Sequence, residues 1–267
     1  MENRDPLTFV HISDTHIYED DHTVFEWCPQ PPTQRARLLV EQITQLPFEI
    51  DFVLHTGDVV WDPTAANYEK AKEIFSPLTV PIHYVIGNHD HPRMLQCVLL
   101  GDSDVEADDY GYYERMIKGT RLIGLDGNRP DYEGKATLPD EQLQWLEHTC
   151  AKDDAPLIVA IHHHPFPERT GSGMLDDKMH LTNSKALHTI LKNFASRLRG
   201  VFHGHIHQST TVTVDGITYN GSASSSFHLK GDPSVSGIEV DPQGVPEFSV
   251  VRIQDGQTFV RRYSFQG

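Results

Sequence analysis

The sequence predicts an α/β fold, specifically a four-layered α/β/β/α sandwich with two mixed central sheets. Two observations support this prediction. Short apolar runs alternate with amphipathic helical stretches as far as His207, and alternating segments joined by Asp-Gly pairs follow. A chain of 267 residues also lies within the size of one large α/β domain. We therefore expect residues 1–267 to form a single domain.

The apolar runs are short, rich in Val, Ile and Phe, and bounded by polar residues, which is typical of strands buried on both faces. They lie at residues 7–12, 52–54, 82–86, 122–125, 157–161 and 201–202. Amphipathic stretches with helix-start residues lie at residues 33–46, 64–75, 140–150 and 183–198. This alternation of strands and helices predicts a layered α/β core.

The pattern changes after His207 to segments that alternate apolar and polar residues. Residues 209–214 and 217–222 are joined by Asp215-Gly216, and residues 248–253 and 258–263 are joined through Asp255-Gly256. An Asp-Gly pair between alternating runs is a strong hairpin signal. We expect these antiparallel strands, from about residue 208, to form a second sheet packed on the first.

The charge balance argues against binding to polyanions. The net charge is −16 at neutral pH and the isoelectric point is near 5.4, so the overall field repels nucleic acids and anionic membrane surfaces. We expect neither as a partner. Any phosphate that this protein handles must be attracted by a local positive site.

The cysteine content and the N-terminus indicate a cytoplasmic protein. Cys28, Cys97 and Cys150 are widely spaced and odd in number, which fits neither a disulfide framework nor a thiolate zinc site. The first residues lack the basic start and apolar run of a signal peptide, and no apolar run approaches the roughly 18 residues of a membrane span. We therefore expect a cytoplasmic protein.

Long loops are predicted at residues 18–32, 91–109 and 165–182, each leaving from a polar strand end. Loops in this position shape the pocket and decide the choice of substrate. In the first loop, Phe25 and Trp27 can stack on a nucleobase, pack the loop down or fill a subunit contact. The sequence leaves these alternatives open.

Polar residues with metal-binding side chains follow the predicted strands, at the point where each strand ends. The segments are Asp14-Thr15-His16, Gly57-Asp58, Gly87-Asn88-His89-Asp90, His162-His163-His164 and Gly204-His205-Ile206-His207. In open α/β sheets, ligands bind beyond the carboxyl ends of the strands. Buried histidine and aspartate side chains are costly unless they are compensated, and two cations would compensate them. The sequence therefore predicts a dinuclear metal site at this edge.

The spacing and chemistry of these residues narrow the choice of metal ion. Residues two apart in an extended segment face the same side, so Asp14 with His16, and His205 with His207, can each serve one site. Carboxylate, amide and imidazole groups together suit manganese, iron or zinc. The neighbouring glycines at positions 57, 87 and 204 are expected to allow sharp backbone turns.

Taken together, these motifs resemble the signature of calcineurin-like metallophosphoesterases. Within that superfamily, residues 162–167 and 204–208 resemble the bacterial class III cyclic-nucleotide phosphodiesterases and their glycerophosphodiesterase relatives. The resemblance spans about residues 7–225 and fades beyond them. It implies two divalent metal ions in the site.

The resemblance also implies which residues hold each ion. The ligands of one ion are Asp14, His16 and His207, those of the other are Asn88, His163 and His205, and Asp58 bridges the two. His163 is the expected ligand of its histidine run because it matches the family histidine that precedes His-Pro. Strand alternation alone would place His162 and His164 on the opposite face.

The implied mechanism is attack by a metal-bridging hydroxide, without a phosphoenzyme. His89 resembles the histidine that protonates the leaving alkoxide, a role typically worth about 10²- to 10⁴-fold in rate. Asp62 is the candidate to support His89, although its spacing departs from the family pattern. Arg93 either clamps a phosphate oxygen or forms a surface ion pair.

The predicted function is metal-dependent hydrolysis of small phosphodiesters, such as 3',5'-cyclic nucleotides or glycerophosphodiesters. The enzymatic alternative is a broad-specificity phosphomonoesterase or a nucleotide-pyrophosphate hydrolase. A DNA nuclease is disfavoured by the acidic charge. The non-enzymatic alternative is a metal-scaffolded protein-binding module, but open coordination positions favour catalysis. Because relatives often self-associate, a homodimer is expected.

Overall fold

The computed structural model describes residues 5–25, 28, 30–102, 111–128, 135–166, 179–231 and 239–266. Trp27 and parts of the three predicted loops lie outside these ranges, so the proposed stacking role of Trp27 stays a prediction. The described residues fold into two mixed sheets flanked by helices. Within these residues, no helix combines the length and apolar composition needed to cross a bilayer.

The first sheet has five strands in the order β13-β12-β1-β2-β3. These strands are β1 (Leu7–Ile12), β2 (Phe52–His55), β3 (Ile82–Tyr84), β12 (Glu247–Gln254) and β13 (Gln257–Ser264). The central strand β1 runs parallel to β2 and antiparallel to β12. The ends of β1, β2 and β3 therefore meet at one edge, as their parallel pairing requires.

The second sheet has six strands in the order β4-β5-β6-β7-β9-β8. These strands are β4 (Tyr113–Ile117), β5 (Thr120–Gly124), β6 (Leu157–Ala160), β7 (Leu198–His203), β8 (Thr211–Val214) and β9 (Ile217–Gly221). The four inner strands are parallel, and β4 and β8 are antiparallel edges. A separate short pair, β10 (His228–Leu229) and β11 (Val240–Asp241), follows.

Four helices match the predicted amphipathic stretches, with shifts at their ends. A short helix and a π-helical turn lie within residues 91–109, so the prediction of a loop was wrong for that part of the segment. The helices are α1 (Pro32–Thr44), α2 (Ala65–Phe75), the short α3 (Pro92–Met94) with a π-helical turn at Leu95–Leu99, α4 (Asp140–Ala151) and α5 (Ser184–Lys192). Thr64 caps α2 by accepting a hydrogen bond from the Asn67 amide, at 3.2 Å. Helix α5 is shorter than predicted, because the chain turns after Lys192 and begins β7 at Leu198.

Three apolar clusters confirm the four layers. One cluster packs α1 and α2 on the outer face of the first sheet, and another packs α4 and α5 on the outer face of the second. The third lies between the sheets, where Phe9 stacks on Phe52 at 4.7 Å and meets the edge of Phe202 at 5.3 Å between ring centroids. Side chains of both sheets thus interdigitate in the centre.

The predicted C-terminal hairpins form, but they do not make a sheet of their own, so that expectation was wrong. The β8–β9 hairpin joins the second sheet beside β7, and the β12–β13 hairpin joins the first sheet beside β1. An unpaired strand edge leaves backbone donors and acceptors unsatisfied, and each hairpin covers such an edge. Both sheets are therefore mixed, as the predicted fold class states.

Candidate metal centre

The predicted strand ends come together in space. Three overlapping groups of side chains could each hold a metal ion, because the ligand atoms within each group all lie within 4.8 Å of one another. The first group is Asp14, His16 and His207, the second is His16, Asp58 and His89, and the third is Asp58, His162 and His205. These residues follow β1, β2, β3, β6 and β7. Both sheets therefore contribute side chains to one cluster at their shared edge.

The backbone is strained at the residues that build the cluster. Left-handed φ angles occur at Asp14 (55°), His16 (47°), Asp58 (54°), His205 (72°) and His207 (53°). This region is unfavourable for residues other than glycine, at about 1–3 kcal/mol each. Strain of this kind persists only where the surroundings impose it, and it concentrates at functional sites. The turns aim the side chains into the cluster at the expense of local stability.

Asp58 lies at the centre of the cluster and is almost fully buried. Its Oδ1 accepts a hydrogen bond from the His89 amide at 2.8 Å. Its Oδ2 is 3.4 Å from Nε2 of His162 and 3.7 Å from Nε2 of His16. One carboxylate thus faces donors on both sides, as the predicted bridging position requires.

On one side of Asp58, the side chains of Asp14, His16 and His207 converge. Nε2 of His207 is 3.3 Å from Oδ1 of Asp14 and 3.2 Å from Nε2 of His16. The Oδ1 atom of Asp14 is buried and has no hydrogen-bond partner among the described residues. The other oxygen, Oδ2, accepts from the His205 amide at 3.0 Å. An unsatisfied buried carboxylate oxygen facing two imidazole nitrogens fits a cation.

On the other side of Asp58, the structure places His162, and not His163, among the donors. Nε2 of His162 is 3.0 Å from Oδ1 of Asn88 and 3.1 Å from Nδ1 of His205. Nδ1 of His162 donates to the Thr56 carbonyl at 2.7 Å, which leaves Nε2 facing the cluster. His163 packs against His205, with ring centroids 4.4 Å apart, and its Nδ1 has no partner among the described residues.

Strand alternation explains why His162 faces Asp58. Ile158 and Ala160 of β6 point into the core between the sheets, whereas Val159 and Ile161 point toward α4 and α5. With a period of two, the next residue on the inner face is His162. The family match had favoured His163, which follows Ile161 onto the helical side.

His89 lies beside the cluster, within reach of His16 and Asp58, but its supporting contact is not the expected one. Its Nδ1 bonds the backbone carbonyl of Trp61 at 2.8 Å. Asp62 does not reach His89, because its Oδ2 accepts from the Tyr18 hydroxyl at 3.1 Å. Arg93 is exposed on α3 and has no ion pair within the described residues, and both interpretations of its role stay predictions.

Burial and the neighbouring charges shift the pKa values within the cluster in different directions. Burial lowers the pKa of His16 to about 3, which leaves its ring neutral at pH 7. Burial alone would raise the pKa of Asp14, but His207 and His162 outweigh it and lower the pKa to about 2. Burial would likewise lower the pKa of His162, yet Asp58 and Asp14 raise it to about 9. The paired carboxylates thus attract positive charge into the cluster.

The three glycines beside the cluster act in two ways. Gly57 has a φ of +102°, so the predicted sharp turn is present there. Gly87 and Gly204 have no left-handed φ, and they are needed for space instead. A Cβ on Gly87 would collide with Asp58, and a Cβ on Gly204 would collide with the side chains of Ser13 and Asp14.

Residues behind the cluster position its ligand loops through hydrogen bonds, and the sequence alone did not predict this role. Asp90 accepts hydrogen bonds from the amides of Val59 at 3.1 Å and Gly87 at 3.0 Å, and so ties two ligand loops together. Ser224 donates to the Asp14 carbonyl at 2.6 Å, and Ser226 donates to the same atom at 3.1 Å. Asp90 was visible in its motif without a role. The serines carry no motif, because their function depends on a contact across the fold.

The fold and the cluster define a metallohydrolase of the α/β/β/α sandwich class. The chain belongs to the calcineurin-like phosphoesterase family, which matches residues 7–209. This match confirms the resemblance drawn from the motifs. Members of this family use divalent metals, and the clustered aspartate and histidine side chains are candidate ligands for them.

Curated relatives extend over most of the chain. The "3',5'-cyclic adenosine monophosphate phosphodiesterase CpdA" of Vibrio vulnificus is 26% identical over 228 residues, covering 84% of this chain and 78% of that protein. The "cAMP/cGMP dual specificity phosphodiesterase" of Mycobacterium tuberculosis is 30% identical over 222 residues, covering 80% of this chain and 66% of that protein.

Solved structures share the fold at low identity. GAP50 of Plasmodium, described as the anchor in the inner membrane complex, has a TM-score of 0.60 at 12% identity, covering 97% of this chain and 84% of its own. Phosphopantetheinyl hydrolase of Mycobacterium tuberculosis has a TM-score of 0.51 at 13% identity, covering 90% of this chain and 98% of its own. At these identities the likeness concerns the fold alone.

Proposed function

We propose that this protein is a phosphodiesterase that hydrolyses 3',5'-cyclic nucleotides with the help of two divalent cations. The observation that carries the proposal is the convergence of carboxylate, amide and imidazole donors on both sides of Asp58. The names of the curated relatives support the substrate class. Glycerophosphodiesters are the other class of small phosphodiester that the sequence predicts as substrates.

The proposed ligand set differs from the sequence prediction at one position. One ion would be held by Asp14, His16 and His207, the other by Asn88, His162 and His205, and Asp58 would contribute to both. His162 replaces His163 because its Nε2 faces both Asn88 and Asp58. Manganese, iron and zinc suit this mixed donor set, which contains no thiolate.

When bound, two divalent cations supply a nucleophile at neutral pH and stabilise charge on the attacking and leaving oxygens. The protein positions the ester at the shared edge of the two sheets and provides the leaving-group proton. The bond from Nδ1 of His89 to the Trp61 carbonyl fixes the ring and leaves Nε2 as the atom that transfers this proton. In a cyclic nucleotide, the leaving oxygen belongs to the ribose.

Two further expectations belong to this proposal. We propose a cytoplasmic location, because the cysteines Cys28, Cys97 and Cys150 are scattered and form no disulfide. Self-association as a homodimer follows only from the family resemblance. A sedimentation-velocity experiment at several concentrations tests it.

The test of the proposed function is a metal-reconstitution assay. Chelator-treated protein is reloaded with manganese, iron or zinc and offered cyclic AMP, cyclic GMP, glycerophosphoethanolamine and p-nitrophenyl phosphate. We expect turnover to depend on the added metal, because the donor set suits such cations. The release of nucleoside monophosphate from the cyclic nucleotides should be the fastest of these reactions. Preferred hydrolysis of the monoester would instead support a phosphomonoesterase.

The negative outcome is equally specific. If none of these metals restores turnover of any ester while the folded protein still binds two ions, the hydrolase proposal fails and the metal-scaffolded binding module gains. The Asp58→Asn protein serves as the control for contaminating phosphatases, which would give it the same rate as the wild type.

A further inference from the structure

Aromatic side chains form a continuous row along one side of the donor cluster. Phe25 is 5.2 Å from Trp61 between ring centroids and 5.4 Å from Tyr18. Trp61 in turn lies 4.7 Å from the ring of His89, and Phe227 lies 6.4 Å from Trp61. Each of these aromatic residues is only partly buried. The row therefore leaves part of its surface accessible beside the cluster.

The row is held in place by the backbone. The Trp61 amide donates to the Ile17 carbonyl at 3.3 Å, and the Tyr18 amide donates to the hydroxyl of Thr33 at 2.9 Å. The Tyr18 hydroxyl also bonds Asp62 at 3.1 Å. These contacts join the loop after β1 to the loop after β2. The aromatic surface is thus organised before any ligand binds, which reduces the entropy lost on binding.

Trp61 connects this surface to the proton donor. Its backbone carbonyl fixes Nδ1 of His89 at 2.8 Å, and its indole packs on the same imidazole. A group that takes the proton from His89 therefore lies near the Trp61 ring. If the substrate is a cyclic nucleotide, that group is the ribose oxygen, and the ribose carries the base.

From this geometry we propose that Phe25 and Trp61 form the wall that receives the nucleobase, an inference that rests on the function proposed above. The ligand chemistry is a planar aromatic heterocycle on the leaving side of the phosphorus. Stacking on aromatic side chains accepts any base, because every base has a π-face. The wall thereby favours nucleotides over aliphatic diesters and does not choose between adenine and guanine.

Phe25 gives the cleanest test, because its ring contacts those of Tyr18 and Trp61, neither of which is a proposed metal ligand. In Phe25→Leu, we expect KM for cyclic AMP to rise about 5- to 150-fold, the range that corresponds to loss of one base-stacking contact. Values of kcat/KM for glycerophosphoethanolamine should stay within about twofold of the wild type. Phe25→Tyr keeps the ring and should keep KM.

A binding measurement provides a readout that does not depend on turnover. Calorimetric titration of the metal-loaded protein with 5'-AMP should show the same weakening in Phe25→Leu. Titration with glycerol 3-phosphate should be unaffected, since it has a phosphate but no base. Phe259→Leu is the matched control, because Phe259 is 48% exposed on the edge strand β13 and lines a separate cavity. It should change neither titration.

The outcomes separate this inference from the proposed function. If the wild type hydrolyses cyclic AMP but Phe25→Leu changes nucleotides and aliphatic compounds alike, or changes neither, the wall is overturned and the hydrolase stands. If no diester is hydrolysed with any metal, the proposed function fails. The titration with 5'-AMP then decides the wall by itself, and equal affinities in the wild type and Phe25→Leu overturn it.

Discussion

The two sheets contribute different chemistry to the metal centre. The first sheet supplies both carboxylates, Asp14 and Asp58, together with His16 and Asn88. The proposed ligands from the second sheet are all imidazoles, namely His162, His205 and His207. Each sheet also orients ligands of the other. The His205 amide donates to Asp14, and the Thr56 carbonyl accepts from His162. The centre therefore depends on how the two sheets are packed, and neither sheet builds it alone.

The central carboxylate Asp58 and the imidazole ligands should therefore respond differently to mutation. A carboxylate between two donor groups serves both ions, whereas one imidazole serves a single ion. Residues behind the ligands act only through orientation, which is a smaller effect.

Asp58→Asn should have the largest effect. The amide removes a negative charge that faces both groups of donors, so we expect kcat/KM to fall by at least about 10³-fold, the upper range for loss of one electrostatic group. Metal content, measured by mass spectrometry of the dialysed protein, should fall below that of the wild type. Asp62→Asn is the matched control, because Asp62 is exposed and its amide can still accept from Tyr18. Full metal content and turnover in Asp58→Asn would disprove the central role.

His89→Asn should lower kcat by about 10²- to 10⁴-fold while both ions remain bound. The defect should be much smaller with bis(p-nitrophenyl) phosphate, because p-nitrophenolate leaves without a proton. Parallel measurement of kcat on the two diesters and of metal content checks this. Since His89 also lies within reach of His16 and Asp58, loss of an ion in this variant would show that it is a ligand and not the acid.

The adjacent histidines of the β6 end give a paired test. His162→Asn should lose the ion beside Asn88. Its activity should fall by at least about 10- to 100-fold, which is the loss typical of removing a residue that only supports a ligand. His163→Asn, whose ring packs outside the donor groups, should keep both ions. Metal titration of the two variants side by side distinguishes them. The reverse result would restore the ligand assignment taken from the family match.

The smallest effect is expected from the serines behind Asp14. Ser224→Ala removes a hydrogen bond to the Asp14 carbonyl, but Ser226 still donates to it, so we expect a loss of about tenfold or less in metal affinity. Ser225→Ala is the control, because its buried hydroxyl has no hydrogen-bond partner among the described residues. Equal affinities in the two variants would argue that the serine contact does not orient Asp14.

Much of the site was predictable because its residues follow strands directly. Asp14, His16, Asp58, His205 and His207 were predicted and do converge. Sequence reasoning was less reliable where two local signals disagreed, as in the histidine run after β6. The supporting contact of His89 was missed, because a backbone carbonyl such as that of Trp61 leaves no mark in the sequence.

The sequence was enough to predict most of the strands and helices, the hairpin turns and most of the donor residues at the strand ends, because these depend on neighbours along the chain. It did not predict β4, β10, β11 or α3. Only the tertiary structure decided which sheet each hairpin joins and which face of β6 looks toward Asp58. These choices depend on which strand edges and faces remain uncovered once both sheets have packed. The same packing sets the aromatic row beside His89, whose members come from three separate loops.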